Sequence, residues 1–259
     1  MKIVVCVKHV PDAQAERTFD SDSTTDRTNV DGLLSELDEY AVEEALKIVE
    51  SVEGEVIALT MGPDQAKDAV RKALQMGATS GVHVLDDAIA GSDAPATSLV
   101  LSKAVEKIGG VDLVLTGMAS TDGAMSVVPP MLAERLGLPQ VTMASELTVE
   151  AGAVTIRRDG DASTETITAS LPALVSVTDQ INEPRYPSFK GIMAAKKKPM
   201  ETWSLADLGV DAGEVGHAAA WTSVESFTAR PPRAAGHVVP DEGEGGTKLA
   251  EFLVSHKFV

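Results

Sequence analysis

The sequence lacks the residues that would build a disulfide framework, a thiolate metal site or an aromatic core. Its 259 residues include a single cysteine, Cys6, so no disulfide can form within the chain. Aromatic residues make up only 3% of the sequence, and the core must therefore consist of Val, Leu, Ile, Ala and Met. This composition favours a buried parallel sheet over an aromatic-rich β-sandwich.

Positive charge is also scarce. The chain has 22 Lys and Arg against 39 Asp and Glu, which gives a formal net charge of −17. Nucleic acids and anionic membranes are themselves polyanions, so this balance disfavours both as partners. The apolar run near the start, Lys2–Lys8, is too short for a signal peptide or a membrane span. We therefore expect a cytoplasmic protein with no direct membrane insertion.

The first half of the sequence alternates short apolar runs with amphipathic helical patterns. The predicted strands are Ile3–Val7, Glu55–Met61, Gly81–Leu85 and Asp112–Gly117. The predicted helices are Glu36–Val52, Asp64–Met76, Pro95–Ile108 and Val127–Leu136, with Ser35 and Asp64 as candidate N-caps. The polar stretch Pro11–Leu33 interrupts this order and indicates an excursion or hairpin. The alternation predicts a doubly wound α/β fold with a mainly parallel sheet.

The second half has a different pattern. Three segments, Val141–Val149, Val154–Arg158 and Thr164–Ala169, alternate in β fashion and predict an antiparallel extension, followed by a last strand, Ala173–Thr178. From Pro199 the periodicity is lost, although a short helical pattern ends the chain. The sequence thus predicts an α/β domain over 1–198 and a C-terminal arm over 199–259. Apolar residues in that arm favour wrapping on a partner; they are Trp203, Leu205, Leu208, Val210, Trp221 and Phe227.

In an open parallel sheet, ligands bind at the carboxyl ends of the strands where the strand order reverses. If the first strand is central and the fourth lies beside it, the loops Lys8–Asp12 and Gly117–Ser126 face the crevice. The second loop consists of small residues without Lys or Arg and leads into a helix N-terminus, which suits a phosphate group. A small-residue turn without any ligand is the alternative, because the loop matches no known phosphate motif.

No other constellation supports catalysis. The five histidines, which include His9 near the crevice and His237 in the tail, show no metal-ligand spacing. No Ser-His-Asp or Cys-His arrangement is present, so we expect a binding subunit rather than an enzyme, with no metal site. The basic run Lys196–Lys198 lies beside Phe189 and Ile192-Met193, and an apolar anchor next to a charged rim is typical of an interaction surface.

Several motifs, in order along nearly the whole chain, resemble those of the electron transfer flavoprotein β subunit. They are Val4–Lys8 with Pro11-Asp12, Asp38–Ala45, Met61–Pro63, Ala73–Ala78, Asp112–Gly117, Leu171–Ala173, Asn182–Tyr186, Ile192–Lys198 and Asp207–Asp211. The resemblance implies an adenine-nucleotide-binding, Rossmann-like fold. It also implies a heterodimer with an α subunit that holds most of the FAD. Such a pair accepts electrons from primary dehydrogenases, such as the acyl-CoA dehydrogenases of fatty acid β-oxidation. It passes them to a membrane quinone oxidoreductase.

The resemblance also implies site residues. A structural AMP would contact Cys6, Ser35, Glu36, Leu37, Asp38, Met61, Gly117, Met118, Ala119, Ser120, Thr121, Asp122, Gly123, Ala124, Met125, Ser126, Val127 and Val128. A recognition loop over about 186–198 would dock dehydrogenases through Tyr186, Phe189, Ile192, Met193, Lys196 and Lys197. Asp159 would contact the flavin domain of the α subunit, and the tail beyond Pro199 would wrap that subunit.

Two stretches depart from the family pattern. Ser35-Glu36-Leu37 stands where the family often has Asn-Pro, and Ala119-Ser120 stands where it has Gln-Ala. Two alternatives therefore stay open. Some members of the family hold a second FAD in the AMP pocket and bifurcate electrons, and a stand-alone adenine-nucleotide-binding protein is a third possibility.

Overall fold

A computed structural model describes residues 1–236 and 238–259, so His237 lies outside the described residues. The chain divides into two compact units, Met1–Glu225 and Ser226–Val259. The first unit contains strands β1 Lys2–Cys6, β2 His9–Pro11, β3 Gly32–Leu34, β4 Glu55–Met61, β5 Ser80–Val84, β6 Leu113–Gly117, β7 Gln140–Glu150, β8 Ala153–Asp159, β9 Thr164–Ser170, β10 Ala173–Val177 and β11 Met200–Trp203. Its helices are α1 Glu36–Ser51, α2 Lys67–Met76, α3 Ala94–Ile108, α4 Val128–Leu136, α5 Phe189–Ala195, α6 Leu205–Leu208 and α7 Gly216–Ala219.

The central sheet has the order β11-β5-β4-β1-β6-β10-β7-β8-β9. The strands from β11 to β7 are parallel, whereas β8 and β9 add an antiparallel extension at one edge. β1 is central, with β4 on one side and β6 on the other, so the strand order reverses beside β1 as the sequence predicted. The excursion after β1 is bounded by the antiparallel pair β2-β3, which confirms a hairpin there.

Alternate residues of the central strands build two apolar layers, one on each face of the sheet. Ile3 and Val5 of β1 face a layer formed with α1 and α2, whereas Val4 faces a layer formed with α3. Side chains of successive strand residues point to opposite faces, and helices on both faces bury them. This arrangement confirms the doubly wound α/β fold.

Two details of the helices differ from the sequence-based expectation. The helix predicted over Asp64–Met76 is a 3₁₀ turn, Asp64–Ala66, that continues into α2. Neither Asp64 nor Ser35 caps a helix with its side chain. Asp64 instead pairs with Lys67 at 2.5 Å, so its carboxylate stabilises the first turn through charge.

The residues that directly follow Pro199 belong to the folded α/β unit. β11 pairs in parallel with β5, and the side chains of Leu205, Leu208, Val210 and Val215 are buried in the apolar layer that also contains α3 residues. The sequence pattern indicates contact with a partner for Leu205, Leu208 and Val210; their burial within this unit shows that this interpretation is wrong. Trp221 and Phe227, by contrast, are exposed.

The second unit contains helix α8, Gly245–Ser255. Asp241 precedes it and accepts hydrogen bonds from the N–H groups of Gly243 and Gly245. Large apolar side chains are exposed along and after the helix, namely Leu249, Phe252, Val254, Phe258 and Val259. Within the described residues, no helix combines the length and apolar character needed to cross a membrane.

Candidate functional site

The loop after β6 lies against the start of α1 at the carboxyl end of the sheet. A Cβ atom on Gly117 would lie 2.6 Å from the Asp38 Oδ1 and 2.7 Å from the Leu37 carbonyl oxygen. Real side chains do not approach so closely, so only glycine fits at this position. The buried Ser35 contributes its hydroxyl, which accepts a hydrogen bond of 3.4 Å from the Thr121 N–H. The structure thus brings together Ser35, Leu37, Asp38, Gly117 and Thr121, as predicted.

The second half of this loop has the backbone geometry of an anion-binding site. Ala124 and Ser126 have φ angles of +50° and +57°, in the left-handed region that non-glycine residues rarely adopt. Val127 follows in the right-handed region. Alternation of these two conformations turns successive N–H groups toward one point and forms a nest for an anion. Among the described residues, the N–H groups from Met125 to Val128 find no hydrogen-bond acceptor.

The helix that follows contributes less than the sequence suggested. Pro129 and Pro130 occupy the first turn of α4, and proline has no N–H group. The expectation that the N-terminus of α4 supplies several free donors is therefore wrong. The donors come instead from residues 125–127 of the loop that precedes it, together with the N–H of Val128, the first residue of α4.

Two buried hydroxyl groups beside the crevice have no partner. Thr116 lies on β6 and is 6% exposed, and its Oγ1 makes no hydrogen bond; the same holds for the buried Oγ1 of Thr121. Leaving a buried hydroxyl unpaired costs about 1–3 kcal/mol, so native proteins usually pair it with a ligand or water. Thr121 is among the residues that the resemblance implies as nucleotide contacts, whereas Thr116 was not identified from the sequence.

Asp122 is the centre of a buried ion cluster at the tip of the loop. Its side chain is 1% exposed and pairs with Lys8 Nζ at 2.9 Å and with the Arg27 guanidinium. Burial alone would raise the pKa of Asp122, but the charges of Lys8 and Arg27 outweigh this effect and hold the pKa well below its ordinary value. The carboxylate therefore stays ionised and ties β1 and the excursion to the loop.

The excursion between β2 and β3 brings positive charge to the crevice. Arg17 donates from Nη2 to the Thr121 carbonyl oxygen at 2.8 Å, and Arg27 reaches Asp122 from the other side. The loop itself has no basic residue, but the folded chain places Lys8, Arg17 and Arg27 around it. Sequence reasoning missed the two arginines, because their contacts span about one hundred residues of chain.

Asp38 carries the second unusual carboxyl group. Its Oδ2 accepts a hydrogen bond of 2.8 Å from the Lys8 N–H, while burial raises its pKa to about 7. Cys6, at the end of β1, has a pKa raised to about 12 by burial and by the charge of Asp38. A thiol with this pKa stays protonated and is not a nucleophile at neutral pH. Burial also lowers the pKa of His9, so its imidazole is neutral at pH 7.

The remaining predicted crevice residues differ in how far they are buried. Met61 ends β4, beside β1, and packs against the apolar layer on the α3 face. Glu36 and Met125 are exposed, as are Gly123 and Ala124. Met118, Ala119 and Ser120 are half-buried between β6 and the nest, and Ser120 Oγ lies 3.4 Å from Lys8 Nζ.

These features could hold a phosphate-bearing ligand. The nest at residues 124–128 and the unpaired hydroxyls of Thr116 and Thr121 would hold a phosphate or ribose oxygen, and Gly117 leaves room for close approach. Lys8, Arg17 and Arg27 add positive charge at the rim. Such an arrangement could bind and orient a phosphate-bearing ligand.

A second surface is formed by the segment between β10 and β11. Its exposed apolar side chains are Tyr186, Phe189, Ile192 and Met193, and the last three lie on one face of α5. Lys196 and Lys197 follow and are also exposed. Lys198 differs, because its Nζ donates to the Leu74 carbonyl oxygen at 2.9 Å.

Comparison with known proteins decides the family. Residues 23–208 match the model of the electron transfer flavoprotein domain. An electron transfer flavoprotein subunit beta from Mycobacterium tuberculosis is 47% identical over 263 aligned residues, which cover 99% of each chain. The chain belongs to the electron transfer flavoprotein β-subunit family.

More distant members of the family also match over nearly the full length. The electron transfer flavoprotein subunit beta of Megasphaera elsdenii is 32% identical, with 100% of each chain covered. A relative from Acetobacterium woodii, 35% identical over 98% of this chain and 97% of its own, is named as subunit CarD of a caffeyl-CoA reductase-Etf complex. The β-subunit name implies an α-subunit partner and an electron-carrier role.

Asp159, expected at the contact with the flavin domain, is already engaged within this electron transfer flavoprotein β subunit. Its carboxylate accepts hydrogen bonds from Ser145 Oγ at 2.6 Å, Arg157 Nε at 2.9 Å and Thr164 Oγ1 at 2.9 Å. Hydrogen bonding, from Ser145 most of all, lowers its pKa. The group is thus a fixed negative charge at the turn between β8 and β9.

Proposed function

We propose that this chain holds a structural AMP in the crevice beside β1 and docks primary dehydrogenases through the segment 186–198. In this proposal it pairs with an α subunit that holds most of the FAD. The pair accepts electrons from acyl-CoA and related dehydrogenases and passes them to a membrane quinone oxidoreductase. The flavin supplies the redox chemistry when bound, and this chain supplies a rigid pocket and a docking surface.

The nest with unpaired N–H groups at residues 125–128 is the observation that carries the nucleotide assignment. A single phosphate satisfies several of these donors through charge-assisted hydrogen bonds. We favour AMP over a second FAD because Lys8 and Arg27 are already neutralised by Asp122, and Arg17 is engaged by the Thr121 carbonyl oxygen. A diphosphate would have to compete for these same cations.

The exposed face of α5 carries the docking assignment. Phe189 is 81% exposed and Tyr186 93% exposed, which is unusual for large apolar side chains in a chain with 3% aromatics. Aromatic anchors with a basic rim are typical of protein interfaces. Lys196 and Lys197 supply that rim on a chain with a net charge of −17.

We assign contact with the α subunit to the second unit, residues 226–259, and to the end of the first. Leu249, Phe252 and Val254 are all exposed on α8, and Trp221 is 87% exposed. A helix with apolar side chains on its exposed faces is expected to pack against another protein surface. This narrows the arm expected from Pro199 onward to the part after about Glu225.

Mass spectrometry of the ligand released from the native heterodimer tests the nucleotide assignment. The expected result is AMP at about one per heterodimer, together with one FAD. Two FAD molecules and no AMP would instead establish the bifurcating alternative. A colourless single chain with no α subunit would remove the electron-carrier proposal altogether.

Truncation after Glu225 tests the arm. The cut leaves β11 and the buried residues Leu205, Leu208, Val210 and Val215 in place, so the first unit keeps its core. The expected result is loss of co-elution with the α subunit. Val52→Ala in the uncut chain, at an exposed apolar residue outside the arm, serves as the control. Stable co-elution of the truncated chain would contradict the assignment.

A further inference from the structure

Two carboxylates on α1 hold the arginine that precedes the docking segment. Arg185 donates to Glu43 from Nε at 2.7 Å, from Nη2 at 3.0 Å and from its backbone N–H at 3.2 Å. It also donates to Glu50 from Nη1 at 2.6 Å and from Nη2 at 3.2 Å. The planar guanidinium is thus fixed in both position and rotation, because two carboxylates hold it through two nitrogens each.

The neighbouring glutamate on α1 holds the same stretch of chain at a second point. Asn182 Nδ2 donates to Glu44 Oε2 and to the Tyr40 carbonyl oxygen, both at 3.0 Å. Glu44 also pairs with Lys47 at 2.9 Å. Glu43 and Glu44, adjacent in sequence, therefore bind two residues that lie three positions apart on the crossing segment.

Burial makes these contacts specific. Glu43 is 6% exposed and Glu44 is 4% exposed, which is rare for glutamate on a helix. A buried carboxylate without partners is strongly unfavourable, so each requires the residue that it binds. Glu50 is different, because its side chain is 58% exposed and its share of the pairing is screened by water.

The far end of the docking segment is held on α2. Lys198 Nζ donates to the Leu74 carbonyl oxygen, and a Cβ on Gly191 would lie 2.6 Å from the Gln75 carbonyl oxygen. Helix α5 thus packs closely against the end of α2, and β11 follows directly in the sheet. The exposed residues from Tyr186 to Met193 lie between two fixed ends.

We infer that Glu43 and Arg185 are positioning residues that pre-order the docking segment for its dehydrogenase. This inference rests on the docking role proposed above for residues 186–198. A segment that is already ordered loses little conformational entropy when it binds, so its partner binds more tightly. The Glu43–Arg185 contact strengthens association with the dehydrogenase and leaves the rate of electron transfer within the docked complex unchanged.

The test uses the heterodimer with its α subunit and the variants Glu43→Gln and Arg185→Lys. Both keep the side-chain length but remove the paired charge or the forked geometry. Reduction by a purified acyl-CoA dehydrogenase is measured as a function of heterodimer concentration. We expect about a tenfold rise in the KM for the heterodimer, with kcat within about twofold of wild type. Hydrogen exchange of the amides in 186–195 should accelerate by about tenfold or more.

Matched variants separate positioning from a general loss of stability. Glu106→Gln makes the same substitution in an exposed ion pair with Lys103 on α3, and should change neither KM nor exchange. Glu50→Gln weakens the hold on Arg185 without burying an unpaired group, and should raise KM by about threefold. The double variant Glu43→Gln/Arg185→Lys should raise KM by less than the product of the two single effects, because both changes disrupt the same Glu43–Arg185 contact.

Unchanged KM and unchanged exchange in Glu43→Gln would overturn the inference, as would a change confined to kcat. If Glu43→Gln fails to fold, Glu50→Gln and Arg185→Lys test the inference instead. Wild-type KM and wild-type hydrogen exchange in both of these variants would equally overturn it. A different outcome would show that the docking role itself is wrong. In that case Phe189→Ala leaves KM unchanged, whereas exchange in the Glu43 variant still accelerates.

Discussion

Two segments leave neighbouring strands at the same end of the sheet and are built in opposite ways. The loop after β6 and the segment after β10 begin side by side, with Gly117 paired to Val177. The first turns its polar groups inward, where Asp122 is buried between Lys8 and Arg27. The second is fixed at its two ends, by Arg185 and Lys198, and exposes Tyr186 and Phe189 between them. Ion pairs anchor both, but one forms a pocket from backbone and the other a surface from side chains.

This contrast predicts where stability and function separate. Substitutions in the loop should lower both the unfolding free energy and the amount of bound nucleotide, because in the proposed site the same atoms stabilise the loop and hold the ligand. Substitutions on the exposed face of the docking segment should cost partner recognition alone. Four variants, ordered by the size of their expected effect on stability, test this separation.

Asp122→Asn should have the largest effect. The change leaves two cations beside a neutral amide, and breaking a buried ion pair from one side costs about 3 kcal/mol of unfolding free energy. Urea unfolding of the heterodimer measures it. Glu146→Gln, in an exposed pair with Arg157, is the control and should cost about 0.5 kcal/mol or less. Equal costs for the two variants would mean that the cluster does not anchor the loop.

Gly117→Ala should come next. Its Cβ would clash with Asp38 and with the Leu37 carbonyl oxygen, so the loop must shift at a cost of about 2 kcal/mol. We also expect less nucleotide in the purified heterodimer, measured by mass spectrometry. Gly160→Ala is the control, since its nearest neighbour, the Ser163 carbonyl oxygen, would lie at 3.4 Å. Full nucleotide content in the Gly117 variant would place the ligand elsewhere.

Asp38→Asn should change the pH dependence of stability. The pKa of Asp38 rises from 3.8 to about 7 in the folded state, so folding takes up a proton between these values. The contribution of this group is therefore fully present at low pH and is lost as the pH rises through about 7. Relative to wild type, the asparagine variant should gain about 2 kcal/mol between about pH 5.5 and 8.

Unfolding titrations at the two pH values, run in parallel on wild type and variant, measure this difference. Buffers of equal ionic strength keep the screening of the surface charges constant. A constant difference between the two proteins across this range would mean that Asp38 is ionised throughout.

Phe189→Ala should have the smallest effect on stability, within about 0.5 kcal/mol, because the side chain is largely exposed. It should nevertheless slow reduction of the heterodimer by acyl-CoA dehydrogenase without releasing FAD, which absorbance of the bound flavin monitors. Val224→Ala, another exposed apolar residue, is the control. Loss of flavin from the Phe189 variant would contradict the docking assignment.

The sequence predicted the parallel core well because its strands are short runs of buried β-branched and aliphatic residues. Glu55–Met61 was predicted with the same bounds as β4, and the condition set for the crevice, a central first strand beside the fourth, is met by β1 and β6. Strand β11 was missed. Its four residues, Met200–Trp203, have no apolar alternation and follow a basic run and a proline, so only pairing with β5 makes them a strand.

The sequence predicted where the crevice loop lies, but not which charged side chains surround it. The position of Gly117 at a strand end and the small residues after it are local features. The approach of Arg17 and Arg27 is not local, because it depends on how the excursion folds back. The lack of donors at Pro129 and Pro130, in contrast, is readable from the sequence, since proline cannot donate a hydrogen bond.

The docking segment is also the connection between β10 and β11, and this has a consequence for how it can vary. To join them the chain passes over β6, β1, β4 and β5, a distance of about 24 Å at the usual spacing of strands. About eight extended residues are the minimum for this distance, so deleting the segment would pull β11 away and leave the edge of β5 open to pairing with other chains. In the docking role proposed above, dehydrogenase specificity can therefore change by replacement of side chains on this segment, but not by its deletion.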